Sequence, residues 1–433
     1  MTKNTNFLVI FLILTPLGLA NGSTSYHVGN SLTWDMLPPG LVAMAGEKGI
    51  VHDAGYHIRS GMGLNYIWDN PDDVTSSTSY GNYVTALSSY EWDNVVLQPY
   101  YKIGSTLGTD EQAFLDFINL TTAGPSRKTK FFIYNAWPSL QVDYQEYWDQ
   151  DIPNDQDYQT THARVYFKHL LANIKTKISN DVELYMIPVG EVFYEIDKKL
   201  RAGNYSGFDS INNFYRDKVH MRRDVGRFAV ATTAFATLFR INPKGMTLPP
   251  TGFENPQYYF LDNGTTLLTN ELRDLIQETV WEVVSYHVDT GIDITPNEFD
   301  TIVVTDARLG EIIVYGTYTI DGINAESRIS ISNGEYAIND NDFTGLDGVV
   351  FPGDSIKIRI PAPETYATLK MVTLNIGLGG QDFHVTTLDS LDLLNGPTET
   401  GSTEAGCTHW FMLLLFLFIP SVRRCDLLKS NTN

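Results

Sequence analysis

Ser31 closes the stretch Tyr26-His27-Val28-Gly29-Asn30-Ser31, and far downstream the chain reads Asp217-Lys218-Val219-His220. A serine hydroxyl is a poor nucleophile until a base removes its proton. Imidazole is the side chain whose ordinary pKa lies nearest neutral pH, which makes His220 the candidate base. An aspartate three residues before a histidine can turn toward the ring and fix its tautomer, which is the role open to Asp217. Together the three residue types are the parts of an acyl-transfer site. The competing readings are that Ser31 caps the helix that follows it and that Asp217 and His220 are an unrelated cap or surface pair. The order and placement of the two stretches favour the triad.

The elements that must carry these residues can be read from hydrophobic period. Short runs rich in Val, Ile, Phe and Tyr at 25–28, 50–57, 94–97, 130–134 and 183–187 predict strands. Helical patterns lie between them at 112–120, 162–179 and 222–239, the second with Tyr166, Leu170, Ile174 and Ile178 at four-residue spacing. This alternation predicts a three-layer α/β/α fold, a parallel sheet with helices on both faces. Sites in such sheets lie beyond the carboxyl ends of strands, where Ser31 falls. Residues 138–161 break the alternation with Tyr144, Tyr147, Trp148 and Tyr158 among many polar residues. A lid or a sugar-stacking wall and a loop packed by its own aromatics are both compatible with that composition. Residues 240–298 hold a proline-rich transition and a helix over 270–287. From 299 to 387, seven short strands at 301–304, 312–319, 327–331, 336–338, 355–360, 368–376 and 383–386 predict a small β-sandwich.

Formal net charge is -21 and the sequence pI is about 4.7. Such a surface repels phosphate backbones, so nucleic acid is not expected as a partner, and acidic polymers are disfavoured as substrates. Neutral acylated molecules meet no such barrier. No P-loop and no dinucleotide fingerprint is present, and the histidines do not form His-Glu-x-x-His, so no cofactor and no metal is expected. The many Asp and Glu residues single out no carboxylate pair for glycoside cleavage. Residues 1–20 carry Lys3, an apolar run and Gly18-Leu19-Ala20, the pattern of a secretory signal cleaved after Ala20, with a retained anchor as the alternative. The two cysteines, Cys407 and Cys425, lie in the tail, which excludes a cysteine nucleophile and an internal disulfide framework. That tail, 391–433, joins a polar linker to an apolar stretch followed by Arg423 and Arg424. It resembles a bacterial C-terminal sorting signal, with a plain membrane anchor as the alternative. The sequons at Asn119, Asn204 and Asn263 carry little weight in a bacterial host.

On these residues the chain resembles the SGNH/GDSL hydrolase superfamily over roughly half its length. Gly29-Asn30-Ser31 matches the first block in a branch that carries Asn in place of Asp, and Asp217 and His220 match the last block, Asp-x-x-His. The resemblance implies a flavodoxin-like α/β/α esterase with Ser31, His220 and Asp217 as the triad. It also implies oxyanion donors from the Ser31 backbone N–H and from a glycine of the second block, where spacing favours Gly61 over Gly63. The usual Gly-x-Asn-Asp of the third block is missing. Gln98, at the end of its strand, carries an amide that could replace the lost asparagine, and Asn135 is the rival. Arg328-Ile329-Ser330-Ile331-Ser332-Asn333-Gly334-Glu335-Tyr336, with Leu374-Asn375-Ile376-Gly377 further on, resembles an Ig-like accessory module of secreted bacterial proteins. The expected organisation is signal 1–20, catalytic domain 21–298, sandwich 299–390, and linker with sorting or anchor segment 391–433. The expected setting is secreted, on the cell surface or outer envelope of a bacterium. The expected substrate is a small-molecule or carbohydrate ester, and the expected membrane or envelope contact is through the C-terminal segment. A non-catalytic carbohydrate-binding or adhesion protein on a degenerate hydrolase fold is the second class. Truncation before Gly401 is expected to release soluble protein of unchanged specific activity, and intact mass of envelope-isolated protein checks whether 407–433 is retained.

Overall fold

Strand β1 (Ser23–Gly29) lies inside a six-stranded sheet with β2 (His52–Ile58), β3 (Ser76–Ser77), β4 (Asn94–Leu97), β5 (Lys130–Asn135) and β6 (Glu183–Pro188). The computed structural model describes residues 22–36, 38–100, 105–140, 142–150, 163–203, 205, 207–247, 266–300 and 303–390. The expectations for 1–20, for 391–433 with Cys407 and Cys425, and for Tyr158 concern residues outside these. Strand order is β3-β2-β1-β4-β5-β6, parallel throughout except that β3 pairs antiparallel with β2. The chain leaves β1 on one side to form β2 and returns on the other to form β4. That reversal opens a crevice at the carboxyl end of β1. β4 is buried at every position, as a strand covered on both faces must be.

Helices α1 (Ser31–Met36), α2 (Pro38–Glu47), α3 (Leu64–Asp69), α4 (Tyr83–Ser89), α5 (Leu107–Ala123), α6 (Tyr144–Trp148), α7 (Arg164–Lys175), α8 (Val189–Ala202), α9 (Val225–Phe239) and α10 (Asn270–Tyr286) cover this sheet. The fold class is thus a mostly parallel α/β sheet followed by a β domain. α9 is buried at every residue from Val225 to Thr237. Two of its buried threonines are satisfied within the helix, Thr233 and Thr237 each donating to the carbonyl four residues back at 2.8 Å. α10 caps the unit and packs on α8 and α9, with Gln277 donating to Met246 O at 2.7 Å.

The chain divides into two compact units after Gly291. In the second, β8 (Ile312–Thr319), β10 (Glu335–Ile338) and β12 (Ser355–Pro361) form one sheet. β7 (Val303–Ala307), β9 (Ser327–Ser332), β11 (Gly348–Val350), β13 (Leu369–Ile376) and β14 (Gly379–Thr387) form the other. Tyr315, Ile356, Ile358 and Ile360 from the first meet Ile329, Val372, Leu374 and Phe383 from the second in a shared core, which makes it a sandwich. Residues 292–300 belong to this unit: Asn297 N donates to Asp321 O and Asn324 N to Asp293 O, both at 2.8 Å. No described helix is long and apolar enough to cross a membrane.

Three histidines are buried within the α/β sheet. Ser25 Oγ lies 2.8 Å from His27 Nε2 and 3.0 Å from His52 Nε2, a hydroxyl shared between two rings. His57 Nδ1 accepts the Tyr83 N–H at 3.2 Å, a role open only to the neutral ring. Burial, with His52 beside it, pushes His27 down to about 3. Burial pushes His57 down to about 4 against the opposing Asp73 carboxylate. Burial likewise lowers His52 and His287. Each folded-state value lies below the unfolded one, so the stability these rings contribute is present above about pH 6.5 and is lost as pH falls toward the folded values. Asp110 acts in the opposite sense. Burial raises it to about 7, against the Tyr166 hydroxyl bonded to it, so its contribution is lost as pH rises from the ordinary carboxylate range through 7. The histidines outnumber it. Unfolding free energy is expected to drop by about 2 kcal/mol between pH 7 and pH 5. Urea midpoints across that range measure this, and a flat profile would contradict the neutral buried rings.

Candidate active site

Ser31 stands where β1 turns into α1, and the turn is tight enough to fix its residue types. A Cβ on Gly29 would sit 2.3 Å from Thr33 Oγ1 and 2.8 Å from Gln98 Cβ, so only glycine lets β1, α1 and the end of β4 meet there. Asn30 is fully buried and uses every polar group of its own. Its Oδ1 accepts Leu32 N at 3.0 Å and its Nδ2 donates to Met62 O at 3.1 Å. Its backbone N donates to Gln98 Oε1 at 3.1 Å and its carbonyl accepts Thr33 N at 3.0 Å. The donor to Met62 is what an asparagine offers here and an aspartate carboxylate would not. It ties the Ser31 turn to the loop after β2.

The histidine arrives on an irregular segment between the paired residues Tyr215 and Met221. Asp217 shapes it: Oδ1 accepts Val219 N at 3.0 Å and His220 N at 2.9 Å, an Asx-type turn that folds the carboxylate back on the ring. Both Asp217 oxygens lie 3.0 Å from His220 Nδ1, and His220 Nε2 lies 2.9 Å from Ser31 Oγ. Partial burial pushes the Asp217 carboxyl up, but the hydrogen bonds from Val219, His220 N and the imidazole outweigh it and leave it below the usual carboxylate range. The segment is held from outside as well. Trp137 Nε1 donates to Val219 O at 2.7 Å, Leu140 N to Lys218 O at 2.8 Å, and Tyr215 O–H to Pro138 O at 2.8 Å. From the other side Asp35 of α1, fully buried, accepts Met221 N at 2.9 Å and Arg227 Nε at 3.0 Å.

The Ser31 N–H has no partner among the described residues. Gly61 adopts φ +69° in the turn that Met62 N closes on Arg59 O at 3.3 Å. Two residues on, the Gly63 N–H has no partner among the described residues. The third-block expectation is corrected. Gln98 is fully buried beneath the turn, its Oε1 taken by Asn30 N and its Nε2 donating to Pro99 O, so it holds the turn instead of presenting an amide to substrate. The rival Asn135 is also committed, accepting Gly190 N at 3.0 Å at the start of α8. Of the aromatics at 138–161, Tyr144 and Trp148 of α6 are buried, Tyr144 donating to Gly190 O at 3.0 Å, and offer no stacking face, while Tyr147 is half-buried.

Asp35, Trp137 and Asn30 escaped the sequence reading as site-building residues. A charge at Asp35 within Leu32-Thr33-Trp34-Asp35-Met36, and one at Arg227 in the apolar run that became α9, were the visible signals of a buried pair.

No family model matches the chain, and no curated protein matches it. Among solved structures, a DUF4886 family protein from Bacteroides uniformis is similar at 15% identity and a TM-score of 0.44, over 61% of this chain and 96% of that one. The Bacillus subtilis protein YxiM is similar at 15% identity and a TM-score of 0.33, over 51% of this chain and 57% of that one.

Gln98→Ala leaves the buried Asn30 N–H without its acceptor. The expected result is a loss of about 1–3 kcal/mol in urea unfolding. A fall in turnover with an unmoved unfolding midpoint would return Gln98 to the role of substrate donor.

Proposed function

We propose that this chain is a serine hydrolase of the SGNH type that cleaves carboxylic esters, with acylated carbohydrate as its carrier class. One observation carries the reading: the Asp217–His220–Ser31 relay, with His220 Nε2 at 2.9 Å from Ser31 Oγ and Nδ1 at 3.0 Å from both Asp217 oxygens. These are the distances over which a proton moves from hydroxyl to imidazole.

Ser31 Oγ attacks the ester carbonyl as its proton passes to His220 Nε2. Asp217 keeps the Nδ1 proton on the far side of the ring and stabilises the imidazolium that forms. The carbonyl oxygen becomes an oxyanion facing the Ser31 N–H, with a second backbone donor from the Gly61–Gly63 loop. The tetrahedral intermediate collapses, the ester C–O bond breaks, and His220 returns its proton to the departing alcohol. Water then enters, loses a proton to His220 and attacks the acyl carbon; the bond from that carbon to Ser31 Oγ breaks, and His220 returns the proton to Oγ as the acid leaves. Glycine in the donor loop lets a backbone N–H approach the reacting carbon without a Cβ between.

Export and attachment at a bacterial surface remain part of the proposal, resting on composition at the two termini. With p-nitrophenyl acetate and acetylated xylan as probes, the parent protein is expected to turn over esters and to be silenced by phosphonylation at Ser31. Ser31→Ala and His220→Ala should each lower kcat by on the order of 10³-fold or more, and the double variant should be little worse than either. Asp217→Asn should lose about 10⁴-fold by admitting the wrong tautomer. Turnover that survives Ser31→Ala would end the triad assignment, and absent turnover in the parent would point to the binding-protein class instead.

A further inference from the structure

We infer that Asp35 is a positioning residue for the proposed hydrolysis, a clamp that sets the Ser31–His220 distance from the nucleophile's own helix. The inference rests on the hydrolase reading and goes beyond it to a residue outside the triad.

Asp35 lies four residues after Ser31, one turn along α1. Its carboxylate is fully buried, and both oxygens are engaged. Oδ2 accepts the backbone N–H of Met221 at 2.9 Å, and Met221 is the residue that follows the histidine. Oδ1 accepts Arg227 Nε at 3.0 Å, and the Arg227 side chain is itself almost wholly buried in α9. These contacts close a ring: from Ser31 along α1 to Asp35, across to Met221 N, back one residue to His220, and from its Nε2 to Ser31 Oγ at 2.9 Å.

The ring matters because the histidine segment has no regular structure that would fix it. Asp217 folds the segment locally, and Trp137 and Leu140 hold its outer side, but neither tie reaches the helix that bears the serine. Asp35 is bonded both to that helix, as one of its own residues, and to the backbone next to His220. Arg227 then orients the carboxylate from α9, the helix that the histidine segment leads into. A buried ion pair is weak evidence of a stabilising role, since an apolar pair of similar volume often serves stability as well. Its use here is directional: a carboxylate can accept both donors at once, and an apolar residue can accept neither.

Two variants test this. Asp35→Ala, in full-length protein, removes the clamp. Replacing Met221 by its α-hydroxy acid removes one N–H and leaves the Asp35–Arg227 pair in place. At a temperature where both are folded by near-UV circular dichroism, kcat for p-nitrophenyl acetate is expected to fall, on the order of 10²-fold for Asp35→Ala, the scale of a misplacement of about 1 Å. KM should stay within about threefold of the parent. The low-field proton resonance of the Asp217–His220 hydrogen bond should broaden or shift in both. If Asp35→Ala fails to fold, the Met221 backbone ester decides alone. A kcat within about twofold of the parent in a folded variant overturns the inference and leaves Asp35 as packing. Failure of the hydrolase reading is a different result, seen in the parent as absent turnover and no phosphonylation of Ser31.

Discussion

The site depends on delivering one irregular segment to the end of one strand. Ser31 is fixed by the sheet: β1 is paired on both sides, and its last residue is wedged under Thr33 and against Gln98. His220 has no such support. Its segment, between Tyr215 and Met221, takes its shape from an Asx turn and its place from hydrogen bonds supplied by distant parts of the chain. Those partners are Trp137 and Leu140, which follow β5, and Asp35 in α1. They use directional hydrogen bonds in a place where nonspecific packing would leave the ring free to drift.

Much of the fold was legible. Five strands and the helices α5, α7, α9 and α10 follow from periodicity, because each buries a face regular enough to mark the sequence. The sandwich was legible for the same reason, with β11 missed because three residues carry too little pattern. α8 was missed although Val189, Val192, Phe193, Ile196 and Leu200 mark a helical face. It begins directly after Pro188 with no turn residues to separate it from β6, and its charged positions obscured the stripe.

The positions of Ser31, His220 and Asp217 could be proposed from local spelling because each lies in a short contiguous stretch. The residues around them could not. Gln98 and Asn135 were weighed as donors from residue type alone, and a side-chain amide serves equally well as a structural brace. Which it does is set by neighbours far away in sequence, here Asn30 and Gly190. Tyr144 and Trp148 were open to two readings for a similar reason: aromatic content does not say which way a short helix turns, and α6 turns inward onto α8. The buried histidines carry a related lesson. His27 and His57 occupy strand positions where an apolar residue would be ordinary, and their neutral state follows from what surrounds them, not from their spelling.

The distance along the chain between Ser31 and His220, 189 residues, has a consequence in time. As the polypeptide emerges from the ribosome, the serine appears early and the histidine only after all six strands of the sheet. α9, which anchors the far side of the histidine segment, is buried on every side from Val225 to Thr237, so it has little reason to persist before the sheet that buries it exists. Every shorter nascent chain therefore holds Ser31 without His220. On the proposed reading, topology alone withholds hydrolysis from partly made protein.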